Sequence, residues 1–532
     1  MELRRDLRRG FGLIAVFAIA TTISAAGQKP SPAPGAAPAH AKAVKRLLIK
    51  NAMVIYGNAK PAFGPVDILV QDGLIARVGP TPKNDLPPDA VIDATGKYVM
   101  PGIVNSHIHL QDERGGVPQP FQYEMNLYLA AGATTLRDVG ADWEKAKKWR
   151  ADSNAHTLIA PRLLLYERIW TAKGPYTPQG VREGVRYAKE QGVDGLKISG
   201  MDRDLLEALL DEAHKQGLRV AIHNAVEEVN AKDFAELGGT SIEHFYGVAD
   251  AALDGIQDFP PEHNANNEIH RFGRAGELYI QKNLNKEKLS QVLDLMVKNH
   301  VTWSPTLSIY IASRDLIRAQ NLPWYKDYLH PTMEEYWKPD LLHHGSFLLG
   351  WTSTQEVRWK HDYRVWMDAL REFANKGGNI TVGDDAGFIY SLYGFGQAHE
   401  LELLEEAGFH PLEVIRQATV NGAKLIGMED RLGRVRQGFV ADLLVVNGNP
   451  LDNLKMLNPY GCDIVTLNGK PIQSYSGLIV PGDPNVKVVH GGGIEWTIKE
   501  GIPYHVPTLM KEVKDMVAKA RAERQKRTTD TK

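Results

Sequence analysis

This 532-residue chain has a single cysteine, Cys462, so an intrachain disulfide is impossible and a zinc site built from several thiolates is excluded. Any metal site must draw on histidine and carboxylate. A formal net charge of -2 leaves no broad electrostatic attraction to nucleic acid or to an anionic membrane. A small molecule or a dipeptide remains as the expected partner, with a homo-oligomer allowed for. Long apolar runs are also scarce: the stretch Phe11 to Ile23 is too short for a comfortable membrane span, and no stable span is expected in the mature chain.

That stretch has another reading. Arg4-Arg5 and Arg8-Arg9 precede it and the small residues Ser24-Ala25-Ala26 follow, which is the layout of an exported signal peptide over residues 1–26, with an uncleaved anchor as the alternative. The destination would be periplasmic or secreted. Arg8-Arg9-Gly10-Phe11 partly fits a twin-arginine signal, which exports folded proteins. Residues 27–44, rich in Pro and Ala, read as a flexible linker.

With 43% hydrophobic and 24% charged residues, the remainder can bury a large core and form more than one domain. Leu47 to Tyr56, Asp67 to Val70 and Leu74 to Val78, with a turn at Asp72-Gly73, predict a small antiparallel unit within 45–100. Gly433 to Val435, Ala441 to Val446 and Ile464 to Lys470 repeat this β character within 429–480, so both chain ends are expected to build one β-sandwich. Between them, over 101–428, strands alternate with helices such as Arg203 to Gln216 and Ala231 to Leu237. This is the rhythm of a parallel α/β barrel. Strand seven is read at Val301 to Leu307 and strand eight at Ile380 to Asp385. The insertion between them, 308–378, is far longer than a crossover needs and holds Trp324, Trp337, Trp351, Trp359 and Trp366. It is either a substrate-pocket element or a packing element. In the C-terminal extension, 481–532, Thr508 to Arg524 predicts an amphipathic packing helix.

Five of the central segments end in residues of ligand chemistry: His107 and His109, Lys197, His223, His244, and Asp385. In a parallel barrel the carboxyl ends of all strands open on one face, so these side chains would converge. His107 and His109, two apart on a strand, point the same way. His223 and His244 are one βα crossover apart. Lys197 would be repelled by metal beside four histidines unless its amine were altered; carbamylation by carbon dioxide makes it an anion able to bridge two cations. Asp385 could touch metal and also accept a proton. Asp384 should face the other side of its strand. His156, His214, His300, His343, His344 and His399 lack this context.

Taken together, Pro101 to His109, the lysine strand, the two later histidines, Gly383 to Gly387 and Gly433 to Pro450 resemble the amidohydrolase superfamily over roughly 45 to 475. Gly132 to Gly140 and Ser241 to His244 are similar to its imidazolonepropionase and metal-dependent prolidase (Xaa-Pro dipeptidase) branch. The resemblance implies a distorted (β/α)8 TIM barrel with a β-sandwich, and two divalent ions, with zinc the expected metal. It implies further that His107 and His109 bind the more buried ion, that Lys197 bridges as a carbamate, that His223 and His244 bind the second ion, and that Asp385 is both ligand and acid/base. The usual Gly-Thr-Asp of strand eight is here Gly383-Asp384-Asp385, which adds negative charge. Tyr246, two residues past His244, is a candidate substrate contact, with packing as its competing role.

The expected function is exported hydrolysis of an amide or peptide bond in a dipeptide or N-acyl amino acid, by a metal-bridging hydroxide. Lactone or cyclic amide hydrolysis would use the same machinery. Two other readings stay open: a mononuclear deaminase, which would not need Lys197, and a barrel that has lost catalysis and serves binding or assembly.

Overall fold

The computed structural model describes residues 35–168, 176–224, 229–255, 261–262, 264, 267, 269–270, 284–340, 345–471 and 482–530. The expected signal peptide, 1–26, and the first part of the expected linker, 27–34, lie outside the described residues.

Eight strands form one parallel sheet, hydrogen-bonded in chain order: β1 (Ile103–Ile108), β2 (Ala133–Asp138), β3 (Arg162–Arg168), β4 (Gly195–Ser199), β5 (Arg219–His223), β6 (Ser241–Glu243), β7 (Thr302–Ser304) and β8 (Asn379–Ile380). Every residue of β1 and β2 is buried, as expected of parallel strands covered on both faces. Beyond β8 the backbone closes the ring, because Ser106 N donates to the Val382 carbonyl at 2.8 Å and Asp385 N to the His107 carbonyl at 2.9 Å. The result is the distorted barrel anticipated above. Strand eight is shorter than its apolar run predicts: ladder pairing stops at Ile380, and Asp385 has left-handed backbone geometry (φ 46°).

Both chain ends supply a mixed eight-stranded sheet, with Ile502–His505, Ile494–Lys499, Leu443–Val446, Tyr98–Pro101, Arg46–Val54, Phe63–Gln71 and Leu74–Val78 in spatial order and Ala90–Asp93 beside Arg46–Val54. Its hairpin turns at Asp72 (φ 50°) and Gly73 (φ 79°), where glycine relieves the second positive φ. Cys462–Leu467, expected to join this sheet, pairs instead with Val486–Gly491 in a separate three-stranded sheet. Both edges of Leu443–Val446 are already taken, one by Tyr98–Pro101 and the other by Ile494–Lys499.

Only Gly102 separates Tyr98–Pro101 from β1, and a Cβ there would lie 2.3 Å from the Thr134 side chain. The sheet therefore meets the barrel at a distance no larger residue permits. Arg162 on β3 locks the two bodies, donating to Thr135 Oγ1 (2.8 Å), Asp442 (2.7 Å) and Glu500 (2.7 Å).

The long insertion folds as short helices followed by Ser353–Asn375. Its tryptophans pack rather than face the site: Trp366 stacks on Phe245 (5.5 Å), Trp359 on Tyr310 (5.6 Å) and Trp324 on Phe395 (4.9 Å). The C-terminal helix runs Val506–Asp530, burying Leu509, Val513 and Val517 at four-residue spacing. It packs against the helix Phe121–Ala130.

Candidate metal centre

At the carboxyl ends of the strands, a cavity of about 320 Å³ is lined by His107, His109, Lys197, His223, His244 and Asp385, which brings together all six residues that the strand-end argument singled out. Tyr246 does not line it. The Tyr246 ring lies against His223 (5.6 Å between centroids) and His244 (6.1 Å), so it touches the histidines rather than the space between them.

The orientation of each imidazole has a specific cause. His107 Nδ1 lies 2.6 Å from Glu243; a carboxylate only accepts, so this nitrogen carries the proton and Nε2 keeps a bare lone pair. His244 Nδ1 lies 2.5 Å from Thr306 Oγ1, whose own hydrogen goes to the Pro305 carbonyl at 2.7 Å. Again Nδ1 is the donor and Nε2 faces the cavity. His244 (φ 63°) and Thr306 (φ 50°) both hold left-handed backbone, a strain that persists where surrounding contacts fix it. Trp303 Nε1 supplies one such contact, donating to the His244 carbonyl.

Asp385 is central. Its carboxylate lies 3.2 Å from His109 Nε2, 3.5 Å from His107 Nε2 and 3.8 Å from His244 Nε2. Burial would raise its pKa, but the neighbouring histidines outweigh burial and hold the carboxyl well below its usual range. Conversely, burial drives the histidines toward the neutral form that can ligate a metal, His109 down to about 3. One donor atom each from His107, His244 and Asp385 lies within 4.8 Å of the others.

The donor set fits metal ions on a further count. Lys197 is buried, its Nζ makes no hydrogen bond among the described residues, and burial lowers its pKa to about 8. Burial therefore gives this amine a far larger neutral, nucleophilic fraction near neutral pH than an exposed lysine has. His109 Nδ1 is likewise buried without a hydrogen bond among the described residues.

Asp384 faces away, accepting from Asn105 (2.9 Å) and Tyr128 (3.3 Å); burial and the Asp385 charge push its pKa up to about 7. It does not line the cavity.

Several wall residues were not singled out from the sequence: Gln111, Arg114, Arg168, Ser199, Tyr310, Phe388 and Ile389. Arg168 was findable, because it ends β3 as Lys197 lies on β4, and the two are register partners. The apolar pattern of that strand fades after Leu165, which hid it. Tyr310 sits in a single turn, Leu307–Tyr310, with no periodicity to betray it.

The amidohydrolase family sequence pattern matches residues 98–472, which includes the whole barrel and all six cavity ligand candidates. The chain belongs to the amidohydrolase family. An allantoinase of Enterococcus faecalis is 27% identical over 219 residues, 37% of this chain and 44% of that protein. A D-hydantoinase of Geobacillus stearothermophilus is 24% identical over 56% of this chain and 63% of its own length. The chain thus spans less than two thirds of these curated relatives. Among solved structures, a Xaa-Pro dipeptidase with methionine bound in its active site superposes with a TM-score of 0.57 at 20% identity, covering 86% of this chain and all of the other. This likeness shows that the two chains share a fold. Among the described residues no helix is long and apolar enough to cross a membrane.

Proposed function

We propose that this amidohydrolase cleaves an amide or peptide bond in a small substrate bearing a carboxylate, such as a dipeptide or an N-acyl amino acid, and that it acts after export. The observation that carries the reading is the convergence of four histidines, Asp385 and the buried, unbonded amine of Lys197 on one cavity.

In this reading His107, His109, His223, His244 and Asp385 hold two divalent ions, zinc being the expected metal, and Lys197 joins them as a carbamate. Bound there, such ions supply Lewis acidity and lower the pKa of water toward about 7. Asp385, facing three imidazoles, is the group placed to accept a proton in the cavity and return it to the leaving nitrogen. Glu243 and Thr306 keep His107 and His244 in one tautomer. Arg168, on the wall beside β4, offers a forked cation to a substrate carboxylate. Phe388, Ile389 and Tyr310 enclose the rest of the substrate and exclude water. A cavity of about 320 Å³ accommodates a dipeptide-sized molecule.

Metal content of protein purified without chelator and with bicarbonate, together with hydrolysis of a dipeptide and acyl amino acid panel, tests this. The reading expects near two ions per chain, falling in Lys197→Ala together with turnover. One ion per chain, indifferent to Lys197, would transfer the case to a mononuclear deaminase, and no ion under any loading condition would leave a binding protein.

A further inference from the structure

The loop Gly387 to Tyr390 forms the cavity wall facing the histidines: Phe388 and Ile389 line the space, with the Phe388 ring 6.5 Å from that of His109. Its backbone is under strain. Gly387 (φ 108°), Ile389 (φ 50°) and Tyr390 (φ 60°) all have positive φ, and a β-branched residue such as isoleucine tolerates that region poorly. Such a loop keeps its shape only where outside contacts impose it.

Arg114 holds one side, lying over the Phe388 ring at 4.9 Å and donating to the Ala386 carbonyl at 3.2 Å, and the insertion holds the other. Tyr325 Oη donates to the Tyr390 carbonyl at 2.7 Å, Trp337 Nε1 to the Gly387 carbonyl at 3.3 Å, and Ile389 N to the Gly345 carbonyl at 2.8 Å. Tyr325 and Tyr390 both pack on the Trp337 ring at 5.7 Å.

Tyr325 begins a helix of only four residues, Tyr325–Tyr328, too short to sustain itself. Its terminal carbonyls need donors. They find them on the C-terminal helix, where Arg521 donates to the carbonyls of Tyr325 (3.0 Å), Lys326 (2.5 Å) and Leu329 (3.2 Å) and reaches Glu334 at 3.3 Å. A side chain nearly two hundred residues away in sequence thus caps the turn that positions the tyrosine.

We propose that Arg521 is a positioning residue for the active-site cavity, acting through Tyr325 and Tyr390 to hold the strained wall at Phe388 and Ile389. The C-terminal helix then helps to shape the cavity wall from a distance and is not only a packing element. The proposal rests on the cavity being the substrate site, but the contact relay itself can be tested without turnover.

The test compares Arg521→Ala, Arg521→Lys and Tyr325→Phe with Arg524→Ala in the full-length, metal-loaded protein. Arg524 binds the same Glu334 (2.7 Å) without capping those carbonyls, so it controls for simple docking of the helix. Amide hydrogen exchange is followed in peptides spanning 386–392 and 103–109. Each lost hydrogen bond should speed exchange at 386–392 by roughly threefold to tenfold in Arg521→Ala and Tyr325→Phe, with 103–109 unchanged. Arg521→Lys should recover part of the protection and Arg524→Ala should match wild type. With a dipeptide that wild type hydrolyses, KM should rise in the first two variants more than kcat falls.

Unchanged exchange at 386–392 in a folded Arg521→Ala overturns the proposal whatever Tyr325→Phe does, as does an equal rise in Arg524→Ala. If wild type hydrolyses no amide while the exchange pattern appears, the functional reading fails and the relay stands. Should Arg521→Ala not fold, Arg521→Lys carries the test of the cap and Tyr325→Phe that of the contact beyond it, and exchange at 386–392 unchanged in either overturns the relay.

Discussion

The Glu243 carboxylate sits 2.6 Å from His107 Nδ1, and both side chains are fully buried. Burial would raise the Glu243 pKa, yet the Arg137 charge and the hydrogen bond from His107 dominate and hold it well below the usual range, so the acceptor remains ionised. An ionised acceptor both fixes the ring and makes its Nε2 a stronger donor to metal. Glu243→Gln should therefore weaken metal binding by roughly tenfold to a hundredfold while the barrel stays folded. Competition against a zinc chelator of known affinity would measure it, and an unchanged affinity would remove Glu243 from the centre.

Arg137 has a structural stake in the same network. It is fully buried, bonds Ser106, Ser241 (2.9 Å) and Glu243 (2.8 Å), and lies over the Tyr166 ring at 5.0 Å. Truncating one member of such a pair strands the other charge in a low-dielectric interior, which costs about 3 to 5 kcal/mol. Arg137→Met should lose that much stability in urea unfolding with metal in excess. A double variant with Glu243→Gln should lose less than the sum of the two, because the stranded charge is gone.

The parts of this site that were legible in the sequence share one property: they follow an apolar strand. His107, His109, Lys197, His223, His244 and Asp385 each do, and topology converts that into convergence. Residues that act from turns were not legible. Thr306, Tyr310 and Ile389 owe their places to left-handed backbone or to a single helical turn, neither of which has a period. The barrel and the sheet from both ends were readable for the same reason as the ligands. The partner of Cys462–Leu467 was not, because apolar alternation names a strand without naming its neighbour. The tryptophan-rich insertion presented two roles, and only packing geometry shows Trp324, Trp359 and Trp366 stacked on core aromatics while Tyr310 alone of the stacked set reaches the cavity.

If Arg168 receives a substrate carboxylate, its loss should appear in binding more than in chemistry. A hydrogen bond to a charged group is worth about 1.5 to 3 kcal/mol, so Arg168→Met should raise KM roughly tenfold to a hundredfold for a dipeptide with a free carboxylate. The same dipeptide as its C-terminal amide should be hydrolysed poorly by wild type and little affected by the substitution. Equal losses on both substrates would assign Arg168 to the fold instead of to recognition.

His330 sets a pH limit on the insertion's stability. Its Nδ1 accepts from the Thr332 backbone N–H at 3.3 Å at the start of Pro331–Tyr336, which only the unprotonated ring can do. Burial, helped by the charges of Arg521 and Arg524, lowers its pKa from 6.5 to about 4. As pH falls through 6.5 the unfolded chain takes up this proton and the folded chain does not, so stability is fully present above that pH and drains away until about 4. A tenfold difference in proton affinity between the folded and unfolded chains is worth about 1.4 kcal/mol, but the ring is partly solvated, and screening reduces the expected loss to about 1 to 2 kcal/mol. Asparagine can accept the same backbone hydrogen bond without titrating. In urea unfolding at about pH 7.5 and about pH 4.5, on either side of the window in which the ring takes up its proton, His330→Asn should show a smaller drop between the two conditions than wild type by that amount. Parallel losses in the two proteins would mean that other buried groups carry the acid sensitivity and that His330 contributes packing alone.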